Sequence, residues 1–291
     1  MPAISIGNFD GVHLGHQALV ALAGSGMTAV TFDPTPNEVL GLPVPPRIMG
    51  PRRRDQALRA AGAANVLTLA TDRATLGLAP EEFLLWLRDR VPFGRIVEGP
   101  DFRFGHRRSG DVNTLRDLGV RLGFTVEIVP EVEASLLSGH VVAARSTTVR
   151  WLIQHGRVAD AERLLGRPHE LVGTVEQGDQ RGRTIGFPTA NLACDGCLLP
   201  ADGVYAATAH RDDGRVFVAA VSVGIKPTFA GARRTVEAHL IGFDGVIGEY
   251  GWSLRLELRR WVRDQVRFTK VDDLIRQIGA DTERCREELH A

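Results

Sequence analysis

The feature that most constrains the fold is a change of pattern near residue 168 of this 291-residue chain. Before it, short apolar runs that favour β-strands alternate with segments whose apolar residues recur at helical spacing. After it, alternating apolar and polar runs are separated by Gly, Asp and Pro turns, and helical spacing returns only at residues 271–289. The first pattern is typical of an α/β domain with a doubly wound parallel sheet, and the second of a small antiparallel β-barrel with a C-terminal helix. The sequence therefore predicts two domains, residues 1–168 and 169–291.

The individual elements follow from the same periodicities. In the first half we predict strands at residues 3–6, 29–32, 66–69, 95–98 and 125–129, and helices at residues 17–23, 51–61, 80–88, 114–122, 146–155 and 158–165. In the second half we predict strands at residues 170–176, 203–209, 216–223, 235–243 and 253–262. Parallel sheets bind ligands at the carboxyl ends of their strands, so the segments after the first-half strands are candidate sites.

A glycine-rich turn with two histidines follows the first predicted strand, over residues 7–17. A turn that leads into a helix N-terminus offers unpaired backbone N–H groups and a positive dipole end to an anion. Gly11 and Gly15 allow the backbone to approach a phosphate, and His13 and His16, three residues apart, lie on one side of the first helical turn. Both imidazoles can donate to charge on a nucleotide's phosphates, which predicts a triphosphate site. The alternative is that these histidines cap the helix or lie at the surface.

A second dense stretch lies in the predicted barrel, between Gly178 and Asn191. Gly178, Gly182 and Gly186 form a loop that can surround phosphates with backbone N–H groups. Thr189 and Asn191, two residues apart on an extended segment, place a hydroxyl and an amide oxygen on one side. Hard oxygen donors of this kind suit Mg²⁺ that nucleotide phosphates also hold. An ordinary turn into a strand remains the alternative at this point.

Charge and cysteine content exclude several classes of protein. The 35 basic and 35 acidic residues cancel, which argues against a dedicated nucleic-acid or membrane-surface protein. Cys194 and Cys197 have metal-ligand spacing but lack two further ligands, so we interpret them as incidental thiols. With Cys285 they make an odd count and no disulfide framework, which fits a reducing compartment. No signal segment or bilayer-spanning run is present, so we expect a cytoplasmic protein without membrane or nucleic-acid partners.

Several short motifs occur in a fixed order along the whole chain. They are residues 7–17 with the H-x-G-H pattern, Phe32-Asp33-Pro34, residues 101–105, Ser146-Thr147 with Arg150, residues 164–168, residues 186–192, Leu199-Pro200 with residues 203–206, Pro227-Thr228-Phe229, and Glu237-Ala238-His239. The H-x-G-H pattern resembles the signature of the nucleotidyltransferase superfamily. Taken together, the motifs resemble the bifunctional prokaryotic riboflavin kinase/FMN adenylyltransferase (FAD synthetase) family from end to end.

The resemblance implies an adenylyltransferase site in the first domain, where ATP would adenylylate FMN to FAD. The histidines His13 and His16 would act in adenylyl transfer, together with Arg150, whose guanidinium could reach the triphosphate. Further nucleotide-binding residues implied there are Gly7, Asn8, Phe9, Asp10, Gly15, Asp101, Arg103, Ser146 and Thr147.

The resemblance also implies a riboflavin kinase site in the barrel, with riboflavin, ATP and Mg²⁺ as ligands. Glu237 would be the base toward the ribityl hydroxyl, and Thr189 and Asn191 would bind Mg²⁺. The nucleotide-binding residues implied are Gly178, Gly182, Arg183, Gly186 and Pro188. Independently, alternation in residues 235–240 sends Glu237 to one face with Thr235 and His239, although exposed glutamates on strands are common. FMN and FAD would be product ligands, and a homo-oligomer is compatible with the sequence.

Two residues depart from the family pattern in the first domain. Thr35 stands where the family usually has a histidine, and a hydroxyl cannot become a cation. Arg145 replaces the first of two serines before Thr147 and adds a fixed charge. Two alternatives therefore stay open beside the bifunctional enzyme: a riboflavin kinase whose diverged first module has weak or altered nucleotidyltransferase activity, and a non-catalytic flavin- or nucleotide-binding regulator.

Overall fold

A computed structural model describes residues 2–178, 180–194, 196–228, 231–246 and 248–290. The chain forms two compact units. The first consists of Met1–Pro46, Pro51–Ala134 and Val141–Ser146, and the second of Arg47–Gly50, Ser135–His140 and Thr147–Ala291. None of the helices in the described ranges combines the length and the apolar character that crossing a bilayer requires.

The first unit is built on a parallel sheet. Its strands are β1 (Ala3–Ile6), β2 (Thr28–Phe32), β3 (Asn65–Leu69), β4 (Arg95–Glu98) and β5 (Thr125–Ile128). The helices between them are α1 (Leu14–Ala23), α2 (Pro36–Leu40), α3 (Pro51–Ala60), α4 (Arg73–Leu76), α5 (Pro80–Arg88) and α6 (Val112–Leu122), followed after β5 by the short strands β6 (Glu133–Ser135) and β7 (Val141–Ala143). All five predicted strands of the sheet are confirmed, two of them with identical bounds.

The five strands pair in the order β3-β2-β1-β4-β5, all parallel. β1 is the central strand, and all four of its residues are buried, which explains why three of them are apolar and the fourth is the small Ser5. From β1 the chain proceeds to β2 and β3 on one side, and β4 and β5 extend the sheet on the other. Because crossovers between parallel strands are right-handed, these opposite directions place helices on both faces of the sheet. The strand order reverses between β1 and β4, where open α/β sheets bind ligands.

The second unit is a closed antiparallel barrel with helices outside it. It contains the helices α7 (Ser146–Gln154, from its second residue on), α8 (Val158–Leu165), α9 (Arg181–Thr184) and α10 (Val271–His290). Its strands are β8 (His169–Glu176), β9 (Ala190–Cys194), β10 (Gly203–Arg211), β11 (Val216–Thr228), β12 (Gly231–Leu240) and β13 (Ser253–Arg263), paired in the order β10-β11-β12-β9-β8-β13. The predicted barrel and C-terminal helix are therefore confirmed.

Alternating residues of the barrel strands point to opposite sides of its wall. The inward set is small or aliphatic and forms one core, which includes Val175, Ala207, Val221, Val236 and Leu256. Outward apolar residues of β10, β11 and β13 form a second cluster with Cys285 of α10. Burial there raises the pKa of the Cys285 thiol to about 12. The helix α10 is thus held against the outer face of the barrel by apolar contacts.

The last boundary between the two units lies between Ser146 and Thr147. This is earlier in the chain than the change of sequence pattern near residue 168. Helices α7 and α8 were predicted at the end of the first domain, but from Thr147 on they belong to the barrel unit. The reason lies in α8, which packs on β8 and β13 and contributes Val158 to the barrel core. The short helix α9, which lies within the glycine-rich stretch, was not predicted, and β9 was anticipated only as the extended segment that carries Thr189 and Asn191.

Substitution of Gly156 by Ala should destabilise the barrel unit strongly. Gly156 ends α7 in the left-handed conformation, as predicted, and an added Cβ would overlap the ring of Trp261 in β13. We expect a loss of about 2–5 kcal/mol in the free energy of unfolding, from backbone strain and overpacking together. Gly214→Ala is the matched control, since Gly214 is also left-handed but open on the Cβ side, and it should lose only about 1–2 kcal/mol. Equal losses in urea unfolding would contradict the contact with Trp261.

Candidate active sites

The turn after β1 brings its two histidines into contact. His13 is the N-cap residue of α1 and His16 lies three residues on, within the first turn. Their rings stack with centroids 3.7 Å apart and planes inclined by 24°. The edge of the Phe9 ring meets His16 at a centroid distance of 5.2 Å. The predicted placement of both imidazoles on one side of the helix start is therefore confirmed.

The backbone of this turn is held in an unusual shape by packing. Phe9 and Val12 have left-handed φ angles of 49° and 42°, which bulky and β-branched residues rarely adopt. Both are almost fully buried, and the N–H of Val12 donates to the carbonyl of Phe9. A Cβ on Gly15 would lie 3.1 Å from the His13 ring and from the carbonyl oxygen of Ala144. Gly15 therefore makes room for the histidine, and the strained turn is maintained by its surroundings.

A hydrogen bond ties the turn to the end of the first unit. The hydroxyl of Ser146, at the start of α7, donates to the carbonyl of Asp10 at 2.7 Å. Thr147 and Arg150 follow in the same helix and belong to the second unit, where Thr147 is exposed and Arg150 half-buried. The roles expected for these two residues stay predictions.

The segment after β4 reaches the same edge of the sheet. Asp101 and Arg103 are exposed there, as are the atoms of Asn8 after β1. The N–H of Phe102 donates to the carbonyl of Gly99, and the rings of Phe102 and Phe104 stack at 5.4 Å beneath the turn. Because β1 and β4 are adjacent parallel strands, their carboxyl ends present the two segments side by side.

Sequence reasoning missed a buried carboxyl group at this edge. Glu98, the last residue of β4, is 3 % exposed, and its Oε1 accepts a hydrogen bond of 2.6 Å from the N–H of Ile6 in β1. Burial raises the pKa of Glu98 to about 8, and the nearby charge of Asp101 acts in the same direction. The sequence signal was a carboxylate at the end of a strand predicted to be covered on both faces.

Thr35 and Arg145, the two residues that depart from the family pattern, each contact a carboxylate within the first unit. The hydroxyl of Thr35 donates to the carboxylate of Glu38 at 2.8 Å, in a capping arrangement at the start of α2. The guanidinium of Arg145 forms an ion pair with Glu131. The charge expected from Arg145 near the triphosphate is thus partly compensated by a neighbouring carboxylate.

The barrel carries a cavity of about 500 Å³ on its outer face, beneath α10. Both polar and apolar side chains line it, from the barrel wall, the loops and α10. The polar residues include Thr189, Asn191, Ser222, Glu237 and His239, and the apolar ones include Ile185, Phe187, Val266, Phe268, Leu274 and Ile278. A cavity of this size and character suits a small organic ligand.

Strand register brings Glu237 and Asn191 together. Glu237 of β12 lies opposite Asn191 of β9 and, on the other side, opposite Ser222 of β11. Val236 and Ala238, its neighbours in the strand, are buried in the barrel, whereas Glu237 is half-buried. The predicted alternation is therefore confirmed, and the outward face of β12 is the wall of the cavity rather than open surface.

The glycine-rich stretch packs closely on these groups. A Cβ on Gly178 would overlap the amide of Asn191, so only glycine leaves that side chain its place. The N–H of Phe187 donates to the carbonyl of Gly182 at 2.9 Å, and the carbonyl of Pro188 lies 2.9 Å from Nδ1 of His239. Asp179 of this stretch, and Phe229 of the Pro227-Thr228-Phe229 motif, lie outside the described residues.

A smaller cavity of about 70 Å³ adjoins the same loop. Arg183, Pro188 and Thr189 contribute to it, with aromatic side chains of Phe243 and Trp252. Thr189 and Gln180 line both cavities, which therefore adjoin each other at this loop. Gly186, also in this loop, is exposed and left-handed with φ 86°.

The donor set at Thr189 and Asn191 fits a magnesium ion that is also bound by phosphates. Both offer neutral oxygens at the large cavity, and the space left by Gly178 holds the Asn191 amide beside the barrel wall. Cys194, Cys197 and Cys285 all lie in the described ranges and form no disulfide bond. In the part of the chain that the structure describes, no three or more His, Cys, Asp or Glu residues are arranged to hold a metal ion.

Comparisons with known proteins agree with this division into two sites. A family model described as FAD synthetase matches residues 2–139, and one described as riboflavin kinase matches residues 165–289. Three curated relatives are each named bifunctional riboflavin kinase/FMN adenylyltransferase. The Escherichia coli K12 protein is 35% identical, covering 98% of this chain and 91% of the relative, and the Haemophilus influenzae protein is 32% identical, covering 98% and 93%. The Bacillus subtilis protein is 30% identical, covering 97% and 90%.

A solved structure matches nearly all of the chain. It is a Streptococcus pneumoniae protein described as a macrolide-efflux protein, with a TM-score of 0.86 and 31% identity, covering 98% of this chain and 93% of that one. Both modules and their order are thus shared with proteins of known architecture. On the strength of the two family models and the near full-length relatives, the chain belongs to the bifunctional riboflavin kinase/FMN adenylyltransferase family.

Proposed function

We propose that this chain phosphorylates riboflavin to FMN within residues 169–291 and adenylylates FMN to FAD within residues 1–168, with ATP as the donor in both reactions. The observation that carries the proposal is the register of β12 and β9, which sets the carboxylate of Glu237 beside Asn191 in a ligand-sized cavity. The stacked His13 and His16 at a parallel-sheet edge support the second activity.

In the kinase reaction, Glu237 would accept the proton of the ribityl 5′-hydroxyl as its oxygen attacks the γ-phosphorus of ATP, with ADP leaving. The apolar side chains that line the large cavity could contact the flavin ring, and Arg183 at the small cavity could contact phosphates of the nucleotide. Thr189 borders both, which is the position that a transferred phosphoryl group requires. Phosphoryl transfer depends mainly on such positioning and on neutralisation of charge.

Thr189 and Asn191 would hold Mg²⁺ together with the ATP phosphates. When bound there, the ion would neutralise charge on the phosphate oxygens as the phosphoryl group transfers. Gly178 would contribute by leaving the Asn191 amide in its position against the barrel wall.

In the adenylylation, a phosphate oxygen of FMN would attack the α-phosphorus of ATP, and pyrophosphate would leave. His13 and His16 would donate hydrogen bonds to the phosphates as negative charge builds on the leaving group. The N-terminus of α1 adds backbone N–H groups and a positive dipole end at the same place. Asp101 and Arg103 lie at the same sheet edge and are candidates to contact the substrates.

The direct test is to incubate the pure chain with riboflavin and Mg-ATP and to separate the flavins by chromatography over time. The proposal expects FMN first and FAD after it, with one pyrophosphate released per FAD. FMN without FAD would contradict the adenylyltransferase assignment, and the absence of both products would leave the regulator hypothesis as the better account.

Single substitutions should separate the two activities. Glu237→Gln should lower FMN formation by about 10²–10⁴-fold through loss of the base, while conversion of added FMN to FAD continues. His16→Ala should lower FAD formation by about 10²–10³-fold through loss of a phosphate donor, while FMN formation continues. Each variant is the folding control for the other. Loss of both activities in a folded variant would contradict two independent sites.

A double-mutant cycle should show that Gly178 acts through Asn191. Gly178 has no left-handed φ, so Gly178→Ala tests the contact with the Asn191 amide without backbone strain. We expect Gly178→Ala and Asn191→Ala each to raise the Mg-ATP KM of the kinase by about tenfold, equivalent to about 1.4 kcal/mol. The double variant should lose little more than either single one, because contacting residues are not additive. Additive losses would contradict the assignment.

A further inference from the structure

The backbone pairing between β1 and β4 stops before the two strands end, and a side chain accepts the next hydrogen bond. Ile4 and Ile96 are the last pair in register between them. Beyond that pair the N–H of Gly7 donates to Val30 of β2, so the N–H of Ile6 faces the β4 side, since alternate amides of a strand point in opposite directions. The acceptor that it meets there is a side chain, Oε1 of Glu98, at 2.6 Å.

The contact is sealed from solvent. Ser5 is fully buried, Ile6 and Glu98 are nearly so, and the hydroxyl of Ser5 approaches the same carboxyl oxygen at 3.4 Å. A buried backbone N–H needs an acceptor, and the carboxyl group supplies one where the backbone of β4 has turned away. The strands can therefore part at the point where the strand order reverses without leaving Ile6 unsatisfied.

We propose that Glu98 is a positioning residue for adenylyl transfer: its carboxyl group takes the place of a backbone acceptor and fixes Ile6, from which the chain enters the turn that carries His13 and His16. Only six residues separate Ile6 from His13 in the sequence, so a shift of this strand end moves the histidines. The inference rests on the proposed adenylyltransferase function of that turn.

The neutral form of the carboxyl group can fill this role. With a pKa of about 8, Glu98 is protonated at neutral pH and accepts the Ile6 hydrogen bond without placing a buried charge beside an anionic nucleotide. The charged and titratable groups on the adjoining elements include Asp101 after β4, the paired Arg95 and Glu127 between β4 and β5, and Asp10 with the two histidines in the turn after β1. Asp101 disfavours ionisation of Glu98, and ionisation above pH 8 would add a further negative charge to the ATP edge.

The experiment compares the wild type with Glu98→Gln, which keeps a carbonyl acceptor but cannot ionise, and Glu98→Leu, which removes the acceptor. ATP KM and kcat of FMN adenylylation are measured from pH 6.5 to 9.5, with riboflavin phosphorylation by the same samples as the reference. We expect Glu98→Leu to raise the ATP KM at least tenfold at pH 7, with kinase activity unchanged, and Glu98→Gln to recover most of that loss. The adenylylation-to-kinase ratio should fall above pH 8 in the wild type and stay level in Glu98→Gln.

A stability measurement keeps the proposal testable if Glu98→Leu does not fold. Because the pKa of Glu98 is raised in the folded chain, the wild type should lose stability relative to Glu98→Gln as the pH rises from about 5 to 8. Parallel stability curves, or a wild-type pH profile that Glu98→Gln reproduces, would overturn the proposal, as would unchanged kinetics in a folded Glu98→Leu. A wild type that forms no FAD at any pH would instead refute the proposed function on which it rests.

Discussion

The register of β12 in the barrel is the constraint on which the kinase site depends. A strand that slips by one residue turns every side chain to the opposite face. In the observed register Val236 and Ala238 fill the barrel, so Glu237 is directed to the cavity and meets Asn191 across the pair. The free energy that fixes this register comes from apolar burial inside the barrel, not from the polar site. Core packing and catalytic geometry are therefore specified by the same alternation.

The first unit is under a different constraint, because the edge of its sheet that is proposed to bind ATP lies where the parallel strands β1 and β4 stop pairing. The ends of β1 and β4 must diverge to admit a nucleotide, yet each buried N–H left behind would cost about 1–3 kcal/mol without a partner. Glu98 resolves this at Ile6, and the buried Phe9 and Val12 hold the turn that follows in its left-handed shape. Activity at the edge thus depends on buried contacts beneath it.

Much of this was predictable from local sequence, and the misses have a common physical cause. β1, β4 and the His13–His16 pair were predicted correctly because apolar runs and i, i+3 spacing are local signals. The packing of α8 against the barrel was not predicted, because the apolar face of a helix does not indicate which surface it covers. The contact between Glu98 and Ile6 joins residues 92 positions apart in the sequence, so no local pattern predicts it. β9 was anticipated only as an extended segment, because its five residues follow a glycine-rich loop.

The two ATP-dependent steps make opposite demands on charge, and the chain meets them in separate places. In the proposed kinase step a carboxylate accepts a proton close to the phosphates, and Glu237, the proposed base, lies opposite Asn191 in the cavity that Thr189 also lines. The adenylyl step has no hydroxyl to deprotonate, because the FMN phosphate is already anionic, so it needs no base, and a buried ionised carboxylate close to the phosphates would repel them. A buried glutamate is compatible with that edge when it stays protonated, as Glu98 does at neutral pH. In the roles proposed for Glu237 and Glu98, two carboxyl groups of one chain serve different chemistry because their burial differs.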